Sequence, residues 1–530
     1  MTKSIYKYLV FLVAIFFLSS GAKAQQLRSG SDNFSNSPTI TVGGYMNASG
    51  AFKGQSAAYE KNRLPDEKLT GTVTDPTLPG THNRTTNTAD FTNDSEIYIK
   101  AGGINEYGMK YGAVVQLEAD VNGDGLKQGI NSSRAYIFTE SMSGKFEFGN
   151  NIGANQKMKV GPDIFARAAG GINGKYLQFI NLPMLADSSQ PGVIPMGNCQ
   201  GYQVDNFGVP VMQGSDCANV KLPRFILIPQ SPVAHGGYAQ GFYNRGNMPG
   251  SGGANSAYAG DPDYSNSAAN GSNGFNKNKT NSSQFHDGSF GQLENATKLS
   301  YYTPRISGLQ FGISATPDTG NRGSSASITG NNSGDIRNMV SWGINYSDNL
   351  GNLGVALSAN GEHGKYEQSK TATIQRRDLN AYEVGAMATF FGFTVGASYG
   401  SWGKSMQAKT GVYSCDYDPT LTFAGQTCAT GGKEFKDPSY WTGGLAYQFG
   451  PVAASITTIK SKFQNNDYQA ASFGIDYRMA KGLMPYIELT QFKFTSNKPT
   501  YDDGAGKKIV SNAILDNKGY VVLAGLIFSF

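Results

Sequence analysis

The sequence predicts an all-β fold: a transmembrane antiparallel β-barrel of about sixteen strands with a long insertion in its third long loop. Three observations predict it. The composition is polar, aromatic and glycine-rich: 39% hydrophobic, 16% charged, 12% aromatic, with 68 Gly in 530 residues. Mean hydropathy is −0.36. Soluble domains carry roughly 25% charged residues, and a helical membrane protein needs apolar runs of about 20 residues. The second observation is an alternating segment of about ten residues, the length with which a tilted strand crosses a bilayer, recurring along the chain. The third is that the segments between these strands alternate between short and long.

The N-terminus reads as an export signal. Lys3 and Lys7 precede an apolar run from Tyr8 to Leu18, and Ala22-Lys23-Ala24 supplies a small-x-small cleavage site. Residues 1–24 are expected to be a signal peptide and residues 25–530 the barrel. Removing the leader takes three Lys and no acid, so the formal charge of +5 falls to +2. That balance gives no reason to expect a nucleic-acid partner. The four cysteines form two local pairs, Cys199 with Cys217 and Cys415 with Cys428. In an oxidising compartment, short-range disulfides are the reading that locality favours among three possible connectivities. Neither C-x-x-C spacing nor nearby His supports a metal.

Sixteen strands are expected near residues 39–53, 92–103, 108–121, 132–140, 143–150, 295–303, 308–316, 336–347, 353–362, 379–389, 392–402, 439–449, 452–462, 468–478, 484–495 and 518–530. The clearest set Trp441, Leu445, Tyr447 and Phe449 against Thr442, Gly444, Ala446 and Gln448. In another, Phe393, Val395, Ala397 and Tyr399 alternate with Thr394, Gly396, Ser398 and Gly400. One face is apolar with aromatics near its ends; the other is small or polar. Taken singly, such a segment fits a half-buried strand of a soluble sandwich. Its repetition favours lipid outside and water inside. The last strand is less regular, because Leu523 and Ile527 fall on the face that should be polar. Short connections such as 141–142, 390–391 and 450–451 alternate with long ones such as 54–91, 151–294 and 403–438; only 463–467 is short where a long one is expected.

The early strands carry charges on the face that would meet water. Glu96, Tyr98 and Lys100 oppose Ile97 and Ile99, and Lys110, Gln116, Glu118 and Asp120 oppose Tyr111, Ala113, Val115 and Leu117. The stretch Asp120-x-Asn122-x-Asp124-Gly resembles the start of a calcium loop, but Asn131 stands where a bidentate Glu is required, so a turn-tipped hairpin fits as well. The four His are scattered, and no H-x-x-x-H, G-x-S-x-G or phosphate-binding motif occurs. An enzyme is not expected, and no cofactor is implied.

Two stretches carry a family resemblance: Arg134-Ala-Tyr-Ile-Phe through Gly144-Lys-Phe-Glu-Phe-Gly149, and Leu299-Ser-Tyr-Tyr-Thr-Pro304 through Gly308-Leu-Gln-Phe-Gly312. They resemble the general diffusion porins of Gram-negative bacteria, the first being similar to the strand pair before the constriction loop and the second to a characteristic turn. The resemblance implies a homotrimer in the outer membrane, bounded by outer-membrane lipid and passing small hydrophilic solutes and ions. It implies that Arg134 belongs to a basic wall, and that Phe530 is the terminal aromatic read by the outer-membrane assembly machinery. The segment 151–294 is far longer than a porin third loop. Residues 151–182 are expected to be its constriction part, with a helical turn near 164–169 and Asp163, near Arg167, as the acid opposing Arg134. Residues 183–235 hold seven Pro, and 236–289 are rich in Gly, Asn and Ser, the composition of a surface insertion. The competing function is a surface adhesin or structural barrel acting through that insertion. An apolar run at Phe225–Ile228 leaves eighteen strands open as an alternative count.

Overall fold

The computed structural model describes residues 37–56, 88–119, 131–166, 171–180, 202–204, 210–212, 225–229, 296–318, 336–366, 377–405, 437–463, 466–495, 500–502, 508–510 and 516–530. The expected signal peptide, all four cysteines, Arg167 and the Asp120–Asp124 stretch lie outside the described residues.

Sixteen strands close one barrel. They are β1 (Thr39–Gly54), β2 (Ala89–Ile104), β3 (Lys110–Glu118), β4 (Asn131–Ser141), β5 (Gly144–Asn150), β6 (Thr297–Tyr302), β7 (Leu309–Asp318) and β8 (Ile336–Leu350), followed by β9 (Leu353–Tyr366), β10 (Leu379–Phe390), β11 (Phe393–Ser401), β12 (Ser439–Phe449), β13 (Val452–Phe463), β14 (Asn466–Tyr477), β15 (Leu483–Thr495) and β16 (Asn517–Ser529). Each strand pairs antiparallel with its sequence neighbours, and β1 pairs with β16 to close the wall. Beyond β16, Phe530 exchanges backbone hydrogen bonds with Gly44 at 3.1 and 3.2 Å, extending the closing seam to the last residue. Two small hairpins, Tyr202–Val204 with Pro210–Met212 and Thr500–Asp502 with Lys508–Val510, stand outside the barrel sheet.

The strands lie where the alternation placed them; differences fall at their ends. β8 runs past 347 because its ladder with β9 continues to Leu350↔Leu353, turning on Gly351 and Asn352 with Gly351 at φ +66°, and β9 runs past 362 because the same ladder reaches Ile336↔Tyr366 at its other end. β3 ends at Glu118, short of the expected 121. The wall has sixteen strands and not eighteen, since Phe225–Ile228 lies outside the barrel ladder.

The polarity of the wall is inverted relative to a soluble protein. Val395, Leu445 and Ile456 are 55%, 47% and 55% exposed, whereas Ser398, Thr442 and Ser455 are 5%, 2% and 5% exposed. Apolar side chains point out and polar ones point in, the arrangement that lipid around the barrel favours. Aromatics bracket the outward apolar band. Tyr382, Tyr399 and Trp441 lie toward the long connections; Phe393, Tyr447, Phe449, Phe528 and Phe530 lie toward the short turns. Phe393 stacks on Tyr447 at 4.2 Å. Tyr399 and Phe393 are six residues apart, roughly 20 Å along a strand, close to the roughly 25 Å apolar band of outer-membrane barrels.

The interior is not uniformly polar. Near the long-connection ends of β13 to β16 and β1, the inward residues Ala51, Ile459, Tyr468, Ala470, Phe492, Phe494, Val521 and Leu523 form an apolar cluster with Ile172, Tyr176, Leu177, Phe179, Ile180, Phe225, Leu227 and Ile228. The irregular inward face of the last strand thus has a physical reason: Val521 and Leu523 meet an inserted segment and not water. A second cluster joins Ile226 to Ile336, Met339, Leu379, Ala381, Trp402, Tyr440 and Phe463 along β8 to β13.

Candidate functional site: the lumen and its inserted segment

After β5 the chain turns inward at a polar hub. Asn151 Nδ2 donates to Glu147 Oε2 at 2.8 Å, and Lys298, 2% exposed, donates to the carbonyls of Asn151 and of Ala296, the latter at 2.7 Å. A buried ammonium requires such partners. The segment then crosses the lumen by way of a helical turn, α1 (Ala154–Lys157), and 3₁₀ turns at Pro162–Ile164, Gly171–Asn173 and Lys175–Phe179. The turn at Pro162–Ile164 is proline-led; of the turn expected near 164–169, residues 167–169 lie outside the described residues.

Inward hydroxyls and carboxylates of the wall receive its backbone and side-chain donors. Ala154 N donates to Ser314 Oγ on β7 at 2.8 Å, and Asn155 Nδ2 to Glu362 Oε2 on β9 at 3.0 Å. Val160 N donates to Ser358 Oγ on β9 at 3.0 Å, and Gly171 N to Glu488 Oε2 on β15 at 2.8 Å. Glu362 and Glu488 are each 1% exposed. The segment thus supplies donors to inward acceptors of the wall that it helps to bury. Space for it comes from inward glycines. A Cβ on Gly385 would collide with the Val160 carbonyl, and one on Gly343 would lie 2.8 Å from Met158 Cβ.

On the wall from β2 to β6, acidic and basic side chains cluster among aromatic rings. Glu96 accepts from Tyr98 Oη and, at 2.8 Å, from Gln116 Nε2. Lys110 pairs with Glu140 at 3.3 Å. Glu147 bridges Lys145, at 2.9 Å, and Lys157. Lys100 and Lys145 lie 5.6 and 5.2 Å from the Phe138 ring centre, and Lys157 lies 5.3 and 5.4 Å from those of Tyr136 and Tyr302, all within cation–π range. Arg134 sits on the same inward face as Tyr136 and Phe138, paired in register with Gln116. Burial lowers the Lys157 ammonium to about 8; Glu147 opposes that shift, while Lys145 and Arg134 add to it by repulsion. The result is a cationic, aromatic face on one side of the lumen.

Of the sequence-predicted residues, Glu96, Lys100, Lys110 and Arg134 all belong to this inward face of β2 to β4. Glu118 pairs in register with Glu96. Asp163 lies on the inserted segment, paired with Lys159 at 3.1 Å and next to the β11 wall, where a Cβ on Gly161 would lie 3.3 Å from Ser398 Oγ. Lys145, Glu147 and Lys157 escaped the sequence reading. The first two were visible as the inward members of Gly-Lys-Phe-Glu-Phe-Gly. Lys157 carried no local signal, because its place depends on the path of the inserted segment.

A model of the Gram-negative porins matches residues 10–190 and 239–497. The chain belongs to the Gram-negative porin family. An uncharacterized protein of Rickettsia felis is 29% identical to this porin over 276 residues, 43% of this chain and 58% of that one. One of Rickettsia conorii is 30% identical over 275 residues, again 43% and 58%. This porin therefore spans less than two thirds of the length of these relatives. Among solved structures, a mutant of the Rh. blastica porin aligns with 93% of this chain and 100% of its own at 12% identity and TM-score 0.42. The anion-selective porin from Comamonas acidovorans covers the same shares at 12% identity and TM-score 0.43.

Proposed function

We propose that this porin forms a water-filled channel in the bacterial outer membrane, through which small hydrophilic solutes and ions diffuse passively. The observation that carries the reading is a closed barrel, apolar outside, into whose lumen residues 151–166 and 171–180 are folded opposite a wall of charged side chains. Such a structure needs no catalytic group or energy source. It excludes by size and orients by charge. Lys100, Lys110, Arg134, Lys145 and Lys157 outnumber Glu96, Glu140 and Glu147 on this face, an excess of positive charge that favours anions over cations of equal size. A homotrimer, processing of residues 1–24, the two disulfides and delivery by the assembly machinery through Phe530 are part of the same proposal, supported by family membership and by the sequence patterns.

Liposome swelling tests it. Proteoliposomes should swell in isotonic solutions of small sugars, at rates that fall steeply with solute size. Liposomes that take up folded barrel yet admit no sugar would sink the proposal. Arg134→Glu should lower the preference for chloride over potassium, read as the zero-current potential in a salt gradient; an unchanged potential counts against Arg134 as part of the conducting wall.

A further inference from the structure

The five residues Phe225-Ile-Leu-Ile-Pro229 return from the long insertion into the lumen. Phe225, Ile226, Leu227 and Ile228 are 4%, 0%, 2% and 3% exposed. Their partners are inward side chains of the wall at its long-connection end, spread over two clusters that together run from β8 round to β1. Phe225 meets Phe494 edge-on at 5.1 Å, and Phe494 stacks on Tyr468 at 4.8 Å. Polar ties fix the strap's ends: Ser461 Oγ on β13 donates to the Ile226 carbonyl at 2.6 Å, and Lys159 of the inserted segment donates to that of Pro229. Ile228 also lies against the inserted segment, where a Cβ on Gly174 would come within 2.6 Å of its Cγ2. The strap therefore ties the constriction segment to the wall and fills the space between them with side chains that have no affinity for water or ions. Neither of these clusters includes a residue of β2 to β7, and a third, formed by Ala154, Met158 and Tyr302, packs the start of the inserted segment onto β6.

We infer that Phe225–Pro229 is an internal wall of the channel: it seals the lumen along β8 to β16, so that solutes pass on one side only, over the cationic aromatic face. The inference rests on the proposed channel function and assigns the strap a part in its selectivity. With the strap in place, the route has a single charged side. Without its side chains, a second route opens beside it, away from the cationic aromatic face.

The test is thiol accessibility in the conducting channel, with a small charged methanethiosulfonate as probe. Ala381 and Ala470 are inward, 2% and 4% exposed, and lie against the two strap-bearing clusters; Lys100 lies on the charged face. The reagent should leave the current of the unmodified protein, Ala381→Cys and Ala470→Cys unchanged, and should reduce that of Lys100→Cys. In a background where Ile226, Leu227 and Ile228 are all Ala, conductance should rise about twofold with weaker ion selectivity, and both buried cysteines should become reactive. If the triple variant does not fold, the cysteines in the otherwise native chain still decide. Block of Ala381→Cys or Ala470→Cys as fast as that of Lys100→Cys overturns the inference while leaving the channel intact. A native protein that conducts nothing would remove the function beneath it instead.

Discussion

Gly385 and Lys157 show the two demands that a narrowed lumen makes on single residues. The Val160 carbonyl occupies the space that a Gly385 side chain would need. Gly385→Val should therefore unseat the constriction segment and cost about 1–3 kcal/mol, as overpacking does elsewhere. The readout is the temperature at which the folded band of the barrel converts to the slower unfolded band on a gel, which should fall. Lys157 stands at the other limit, a charge held in a crowded place. Its ammonium is lowered to about 8 by burial. The charged form dominates below that value and the neutral form above it, so raising pH from 7 to 9 removes one positive charge beside Glu147. The zero-current potential in a salt gradient should shift toward cation preference over that interval. Lys157→Met should start near the shifted value and lose this part of the pH dependence.

At the level of elements, the strands were legible because lipid and water impose a period of two on every crossing. Val395 and Ser398 lie on opposite faces for that reason alone, and no tertiary contact is needed to predict them. The inserted segment was legible only in outline. Its starting point follows from the resemblance around Arg134 to Gly149, but its anchors on Ser314, Ser358, Glu362 and Glu488 are 160 to 317 residues away in sequence. Local patterns carry no trace of such pairings. Phe225–Ile228 was equally ambiguous, since a short apolar run reads the same whether it forms a wall strand or packs inside one. The one clue was Leu523, an apolar side chain on a face that should be wet. It is 1% exposed within the cluster that the strap and inserted segment complete. Leu523→Ala should cost about 2–5 kcal/mol and lower the same gel transition. By contrast Leu526→Ala, on the outward face and 42% exposed, should change it far less.

For the whole molecule, the low charge and high glycine content of this long chain describe one barrel and its loops. The outward half of each strand is mainly apolar and carries little charge, and inward glycines such as Gly343 and Gly385 make room for the inserted segment. In the proposed channel, stability and conduction are linked through that interior: the apolar clusters that hold the inserted segment fill part of the lumen, and selection falls to the charged wall of β2 to β6. The proposed function requires a continuous aqueous path through this interior. Single-channel recording from purified, heat-modifiable protein in planar bilayers detects such a path. Ohmic steps are expected, grouped in threes, whose size rises in proportion to salt concentration and which favour anions. Folded protein that enters the bilayer and gives no conductance steps at any salt concentration would contradict that function.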